Sequence, residues 1–440
     1  MAENEKKYVM PEDPVILQKL EWFRDQKLAL MMHWGPYSQW GIVESWALSD
    51  ADAAWSRKDV TWGIGSEDFK REYFGLNQTF NPVRFQPELW AELAKDNGFR
   101  YLTFTTKHHD GFCMWDTKFT DYRITAPSCP FSAHRYSDVC KHLFEAFRER
   151  GLGISAYFSK ADWHTPYYWE DGSKLAFRDR GPSYEPAKKP ELWEKFVRFT
   201  HGQVLELVQN YGKIDVLWFD AGWVCRENGQ DIKIEELIGK VREIQPWVLS
   251  ADRTCGGICE NYVTPEQCVP ESPLDIPWES NVTMGNSFSF AYDDDYKSTK
   301  ELIRLLVDVV AKGGNLALNV GPQPDGRLPK PAVERMKGIG EWLKVYGGAI
   351  YGTRVCAPCR SGSFAFTQKE CEKSAFALYM HDGPERPGRL VIPGIGKKVV
   401  QIENMRTGEK PDFEATDAGY AIDMPDEFDP AAEVYILRYV

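Results

Sequence analysis

Over the first 350 residues, short apolar runs rich in Val, Ile, Leu and Phe alternate with longer stretches of helical periodicity, and each apolar run ends on a polar cluster. The predicted strands are Leu28 to Trp34, Tyr101 to His108, Leu152 to Ser159, Ile214 to Asp220, Trp247 to Asp252 and Asn315 to Val320. The predicted helices between them are Pro87 to Asn97, Ser137 to Arg150, Glu191 to Tyr211, Ile232 to Ile244 and Tyr296 to Lys312. Near-continuous apolar strands separated by helices point to a parallel sheet buried on both faces. After about Tyr351 the pattern shifts to short alternating runs, Ser363 to Phe366, Ser374 to Tyr379, Arg389 to Ile392, Lys398 to Ile402 and Ala432 to Tyr439, with Gly, Pro and Asp between them. The expected fold class is therefore α/β, with a (β/α)8-like barrel over residues 1–350 and a small C-terminal β-sandwich over 351–440.

The polar clusters fall at the carboxyl ends of the predicted strands: His33-Trp34, Lys107-His108-His109-Asp110, Tyr157 with Ser159, Asp220 and Arg253. In a parallel barrel all these ends meet on one face, so five separate segments converge on one pocket. The main rival, a doubly wound open sheet, normally carries a Gly-rich phosphate loop after its first strand, and His33-Trp34-Gly35-Pro36-Tyr37 is not one.

Composition narrows the ligand. The chain has 440 residues and a formal net charge of -12, which argues against nucleic acid or an anionic membrane surface as partner. No run of eighteen apolar residues occurs, so no membrane insertion is expected. The charged start, Met1-Ala-Glu-Asn-Glu-Lys-Lys, lacks the apolar region of a signal peptide, so the compartment is left unknown: a soluble protein, periplasmic, secreted or lysosomal if a signal peptide was removed. Sixteen Trp, twenty Tyr and twenty-four Phe exceed ordinary core needs, and flat ring faces suit a carbohydrate cleft, although core packing accounts for most of them. Ten Cys are too few for a disulfide scaffold and read mostly as buried thiols. Cys356-x-x-Cys359 with Cys371 lacks a fourth zinc ligand, so no metal is expected there.

Asp220 ends an apolar run beside Trp218 and precedes Ala221-Gly222-Trp223. A carboxylate next to an indole on the catalytic face suits a glycosidase nucleophile, while capping of the following segment is the commoner job for a lone Asp. His108 and His109, as adjacent strand residues, point to opposite faces and do not chelate one metal unless the chain bends. Hydrogen bonding to sugar hydroxyls fits neutral imidazoles better.

Six ordered motifs resemble those of the α-L-fucosidases of glycoside hydrolase family 29. They are His33-Trp34-Gly35-Pro36-Tyr37-Ser38, Phe80-Asn81-Pro82 with Phe85, Lys107 to Phe112, Asp215 to Asp220, Lys312 to Pro322, and Asp325-Gly326, together spanning about residues 20 to 355. The resemblance implies a catalytic barrel followed by a β-sandwich, no metal and no cofactor. It also implies retaining exo-hydrolysis of terminal α-L-fucosides on a fucosylated oligosaccharide or glycoconjugate, through a covalent glycosyl-enzyme. By position, Asp220 matches the nucleophile. His33, His108, His109, Tyr157 and Arg253 match the residues that hold the sugar hydroxyls, and Trp218 and Phe290 match the aromatics around the methyl group. Glu44 and Trp46 match further ligands, but Ser45 separates them where the family has Glu followed directly by Trp. Phe288-Ser289-Phe290 stands where Trp-Gly-Tyr is common.

The acid/base is left open among Glu260, Glu266, Glu271 and Glu279. Glu279 is the choice, because it follows Pro277-Trp278 at an expected carboxyl end of a strand and a Trp neighbour would raise its pKa. Three other readings compete: a non-catalytic carbohydrate-binding protein on the same scaffold, a metal-dependent hydrolase using His33, His108 and His109, and a glycosidase for a related sugar such as an α-L-galactoside.

Overall fold

The computed structural model describes residues 7–57, 65–381 and 388–440. Seven parallel strands form one curled sheet: β1 Leu28–Met32, β2 Tyr101–Lys107, β3 Gly153–Ser159, β4 Val216–Asp220, β5 Leu249–Asp252, β6 Glu279–Thr283 and β7 Asn315–Val320, in the order β5-β4-β3-β2-β1-β7-β6. Helices α1 Pro14–Gln26, α2 Pro87–Asp96, α3 Val139–Glu149, α4 Pro190–Asn210, α5 Ile234–Ile244, α6 Thr299–Ala311 and α7 Lys330–Tyr346 accompany the strands. No helix among the described residues is long and apolar enough to cross a membrane.

Strand periodicity divides the side chains between two layers. Leu28, Leu30, Met32, Leu102, Phe104, Ile154, Ala156, Phe158, Leu217, Phe219, Leu316 and Leu318 pack outward into one large core with the helices. Ala29, Met31, Tyr101, Tyr157, Val216, Trp218, Leu249, Ala251 and Ala317 fill the barrel interior together with Phe23 and Tyr262. Both sides of each strand are therefore buried, which is why the runs read as continuous apolar stretches rather than alternating ones.

The sheet's edges are β5 and β6, and residues 260–267 span the gap between them. Asn261 N donates to Ser250 O at 2.8 Å, Glu279 N to Val263 O at 2.9 Å, and Gln267 N to Asn281 O at 2.9 Å. Pro265 and the left-handed Gln267 (φ 52°) keep this segment irregular, yet it closes the barrel where an eighth strand would run. It also brings Glu266 to the strands' carboxyl end.

Beyond α7 come β8 Arg354–Ser361, β9 Phe364–Lys369, β10 Ser374–Tyr379, β11 Arg389–Pro393, β12 Val399–Asn404, β13 Glu414–Thr416, β14 Gly419–Asp423 and β15 Glu433–Tyr439. They form a five-stranded sheet, β12-β15-β10-β9-β8, and a three-stranded sheet, β11-β14-β13, both antiparallel. The two sheets share a core through Phe366, Ala377, Ile392, Ile422 and Leu437. The larger sheet docks on α6 and α7, where Arg304 Nε donates to Ala431 O at 2.8 Å and Trp342 Nε1 to Ala432 O at 3.0 Å. Of the ten cysteines, all free, only Cys113, Cys129, Cys140, Cys259 and Cys356 are buried, so the expectation of mostly buried thiols holds for half of them.

Candidate active site

The inward ladder of β4 carries Val216, Trp218 and Asp220 upward in steps of two, so Asp220 emerges from the barrel interior at the carboxyl end of its strand. Ala221 follows in the left-handed region (φ 70°), turning the chain sharply away behind the carboxylate. Asp220 Oδ2 accepts from Tyr157 Oη at 2.5 Å and Oδ1 from Arg253 Nη1 at 3.0 Å. Burial alone would raise the carboxyl's pKa. The Arg253 charge, His109 and the Tyr157 hydrogen bond outweigh it and hold Asp220 well below the usual carboxylate range. The result is a desolvated carboxylate that stays ionised, which is what a nucleophile requires.

Around it lies a cavity of about 290 Å³ lined by His33, Glu44, Trp46, His108, Tyr157, Trp218, Asp220, Arg253 and Glu266, among others. His33 continues the inward parity of β1 and is bound at Nδ1 by Asn319 Oδ1 at 2.8 Å. Past the end of β2 the two-residue alternation lapses, so the expectation that His108 and His109 diverge does not hold: their ring centroids are 4.1 Å apart. His108 Nδ1 meets Ser45 Oγ at 2.5 Å, and its ring is stacked with Tyr157. His109 Nδ1 meets Ser159 Oγ at 2.7 Å, and its Nε2 lies 3.8 Å from Asp220 Oδ2. Burial holds the three imidazoles below their ordinary pKa, at about 4 for His33 and His109 and well below 6.5 for His108, so all three are neutral at pH 7.

Trp46 stands with Trp223 and Trp163 around the His109 ring, at centroid distances of 5.1, 5.0 and 5.2 Å. The Arg180 guanidinium covers Trp46 at 5.0 Å and Trp223 at 5.2 Å. Glu44 is almost fully buried, and its Oε1 accepts from Ser289 N at 2.8 Å. Burial, opposed by that hydrogen bond and reinforced by Glu266 and Asp220, pushes its carboxyl up to about 8.

Two expected positions are corrected. Glu279 is the first residue of β6, at the amino end of the barrel and opposite to the cleft, and it is completely buried. It accepts from Tyr101 Oη and, at 3.1 Å, from Trp218 Nε1, so the Trp218 indole lies between it and the cleft. Pro277-Trp278 precedes the strand rather than closing one, which is why the local motif misplaced it. Phe290 packs against Tyr292 at 5.0 Å outside the cleft lining, and Phe288 takes the place expected for it, 5.0 Å from His33. The segment from 288 to 290 is not a strand, so alternation gave no guide to which ring turns inward.

The remaining carboxylates sort by their partners. Glu260 is spent on the backbone of the loop carrying Arg253, accepting from Thr254 N at 3.0 Å and Gly256 N at 2.6 Å. Glu271 is exposed and outside the cleft. Glu266 lines the cleft, is 45% exposed at its side chain and binds Arg253 Nη2. Sequence alone leaves Glu266 as one of four candidate carboxylates, because the closing segment lacks the strand pattern that would place it.

Arg180 in the cleft lining, and Asn319 and Gly321 behind it, lie outside the expected set. Asn319, within the Lys312–Pro322 motif, holds both His33 and, through Nδ2 at 2.6 Å, the Phe288 carbonyl. In the same motif Gly321 has no room for a side chain, since a Cβ there would come within 2.1 Å of Phe290 N. Arg180 comes from a long connection without any recognisable motif.

His108, His109 and Asp220 present ligand atoms within 4.8 Å of one another, the only such cluster among the described residues. The donor set suits a cation poorly. Both Asp220 oxygens already accept from Tyr157 and Arg253, and the latter is a permanent positive charge at 3.0 Å.

The sequence model of the α-L-fucosidase family matches residues 1–348. The plasma α-L-fucosidase of Rattus norvegicus is 29% identical over 377 residues, covering 82% of this chain and 77% of its own. Among solved structures, α-L-fucosidase isoenzyme 1 from Paenibacillus thiaminolyticus superposes with a TM-score of 0.79 at 27% identity, covering 97% of this chain and 100% of its own. The Thermotoga maritima α-fucosidase in complex with fucose gives a TM-score of 0.76 at 28% identity over 99% and 98% of the two chains.

Proposed function

The chain belongs to the α-L-fucosidase family of glycoside hydrolases, and on that premise we propose that it releases terminal α-L-fucose from fucosylated oligosaccharides or glycoconjugates by retaining double displacement. Asp220 is the nucleophile and Glu266 the acid/base. The observation that carries this reading is the Arg253 guanidinium, which binds Asp220 through Nη1 and Glu266 through Nη2. A shared guanidinium favours the short carboxyl spacing of retaining enzymes, roughly 5 to 5.5 Å, over the roughly 6.5 to 9.5 Å that inverting enzymes leave for a water.

The two carboxylates differ in the way the two roles demand. Asp220, desolvated and ionised, attacks the anomeric carbon and forms the glycosyl-enzyme. Glu266 stands at the exposed side of the cleft, where the leaving group departs and water later enters. It donates a proton to the glycosidic oxygen, then takes one from the water that cleaves the intermediate. Neutral His33, His108 and His109 with protonated Glu44 hydrogen-bond an uncharged sugar without burying a further charge. Tyr157 holds Asp220 in line and releases its hydrogen bond as negative charge leaves the carboxylate in the first step.

Proton NMR of the first turnovers of an aryl α-L-fucoside tests the proposal. The initial product is α-L-fucose, which then mutarotates; β-L-fucose appearing first overturns the double displacement.

A further inference from the structure

His33 and His108, which line the cleft, and His109, buried beside Asp220, are each held at Nδ1 by a different partner, and those partners decide what each ring offers a ligand. Asn319 donates Nδ2–H to Phe288 O at 2.6 Å, which leaves its amide oxygen 2.8 Å from His33 Nδ1. An amide oxygen only accepts, so His33 carries its proton on Nδ1 and turns a lone pair outward at Nε2. Ser159 spends its hydroxyl proton on Ala161 O at 2.7 Å and therefore accepts from His109 Nδ1, also at 2.7 Å. His109 Nε2, buried and without a hydrogen-bond partner among the described residues, is again an acceptor.

Ser45 is different. It is fully buried, its Oγ lies 2.5 Å from His108 Nδ1, and no other side-chain hydrogen bond of Ser45 occurs among the described residues. If His108 Nδ1 carried the proton, the Ser45 hydroxyl hydrogen would be left buried without an acceptor. Donation from Ser45 to Nδ1 satisfies both groups and moves the ring proton to Nε2.

We infer that Ser45 is a positioning residue that sets His108 as the one imidazole donor at a site whose other two imidazoles, His33 in the cleft lining and His109 buried beside Asp220, are acceptors. The residue that separates Glu44 from Trp46 is thus not a spacer but the hydroxyl that fixes a ring tautomer. The ligand must offer donors to His33 and His109 and an acceptor to His108. Hydroxyl groups do both, whereas an ether or fluorine substituent is accepted only opposite His108. This deepens the fucoside reading, and only its ligand arm rests on that reading.

Nitrogen-15 NMR of ligand-free protein labelled at histidine, with His108 assigned through His108→Gln, reads the tautomers directly. His108 should be the Nε2–H form, and His33 and His109 the Nδ1–H form. Ser45→Ala should abolish the single-tautomer signal of His108 alone and lower kcat/KM for an aryl α-L-fucoside about tenfold, the scale of one lost hydrogen bond. Ser45→Thr, which keeps the hydroxyl, should restore both. A wild-type His108 in the Nδ1–H form overturns the inference, even where Ser45→Ala fails to fold. So does an unchanged His108 signal in a folded Ser45→Ala. Tautomers as assigned in a protein that cleaves no fucoside leave the inference standing and overturn the functional reading instead.

Discussion

Arg253 places Nη1 3.0 Å from Asp220 Oδ1 while its guanidinium lies 4.9 Å above the Trp218 ring. Packed over the indole and shared between Asp220 and Glu266, the cation gives Asp220 a permanent positive neighbour. That charge opposes the effect of burial on the Asp220 carboxyl. Arg253→Gln removes the charge and keeps a hydrogen-bond donor, so the carboxyl pKa rises. Because the ionised form is the reactive one, the acid limb of kcat/KM should move to higher pH. An acid limb that stays in place would mean that another group sets it.

Asp220 itself has a capping alternative, and the two roles predict different chemistry. No side chain at position 220 means no covalent intermediate, so Asp220→Gly should lose nearly all turnover of an aryl α-L-fucoside at unchanged folding. Azide, small enough to occupy the vacated space, should restore part of the rate and give the β-L-fucosyl azide. Near-normal turnover in the variant would reduce Asp220 to a structural carboxylate.

Glu44 supplies a stability signature with a definite sign. Burial lifts its folded pKa to about 8 from an ordinary 4.5. Between these values the unfolded chain has released the proton and the folded chain has not, so this group's contribution to stability is lost as pH rises from about 4.5 to about 8. Glu44→Gln does not titrate. Its melting temperature relative to wild type should therefore climb across that window and level off above it. A flat difference would show that Glu44 is ionised in the folded protein at neutral pH.

The parts of the fold legible in the sequence are those where a single physical pattern dominates. Six strands announce themselves because both faces are buried, and the helices between them because one face is. The sixth strand in chain order, Glu279-Ser280-Asn281-Val282-Thr283, carries no apolar pattern because Glu279, Asn281 and Thr283 are buried polar residues facing the barrel interior. Tyr101, which helps satisfy Glu279, lies 178 positions away. The segment 260–267 was unreadable for a related reason, since its hydrogen bonds to β5 and β6 impose no side-chain period. The cleft residues found by motif are those at the ends of legible strands. Glu266, Phe288 and Arg180 sit on irregular segments, where only three-dimensional closure decides what faces the cavity.

Glu266 and Glu279 make opposite predictions, because one faces the cleft and the other the barrel interior. Removing a general acid hurts most where the leaving group most needs a proton. Glu266→Ala should therefore slow a fucosyl-oligosaccharide, with its poor alcohol leaving group, by orders of magnitude more than an activated aryl fucoside, and it should flatten the basic limb of the pH profile. Azide should accelerate the aryl substrate in this variant by attacking an intermediate that no longer has a base to activate water. Glu279→Ala should not discriminate between leaving groups. It deletes the acceptor for Tyr101 Oη and Trp218 Nε1, and each buried donor left unpaired costs about 1–3 kcal/mol. Its expected effect is a lower melting temperature with a similar fractional loss on both substrates, through displacement of the Trp218 ring beneath Asp220. Glu279→Gln, which keeps an acceptor oxygen, should recover part of that stability. Leaving-group selectivity in Glu279→Ala together with uniform slowing in Glu266→Ala would transfer the acid/base role to Glu279 and require the two groups to exchange places in the mechanism.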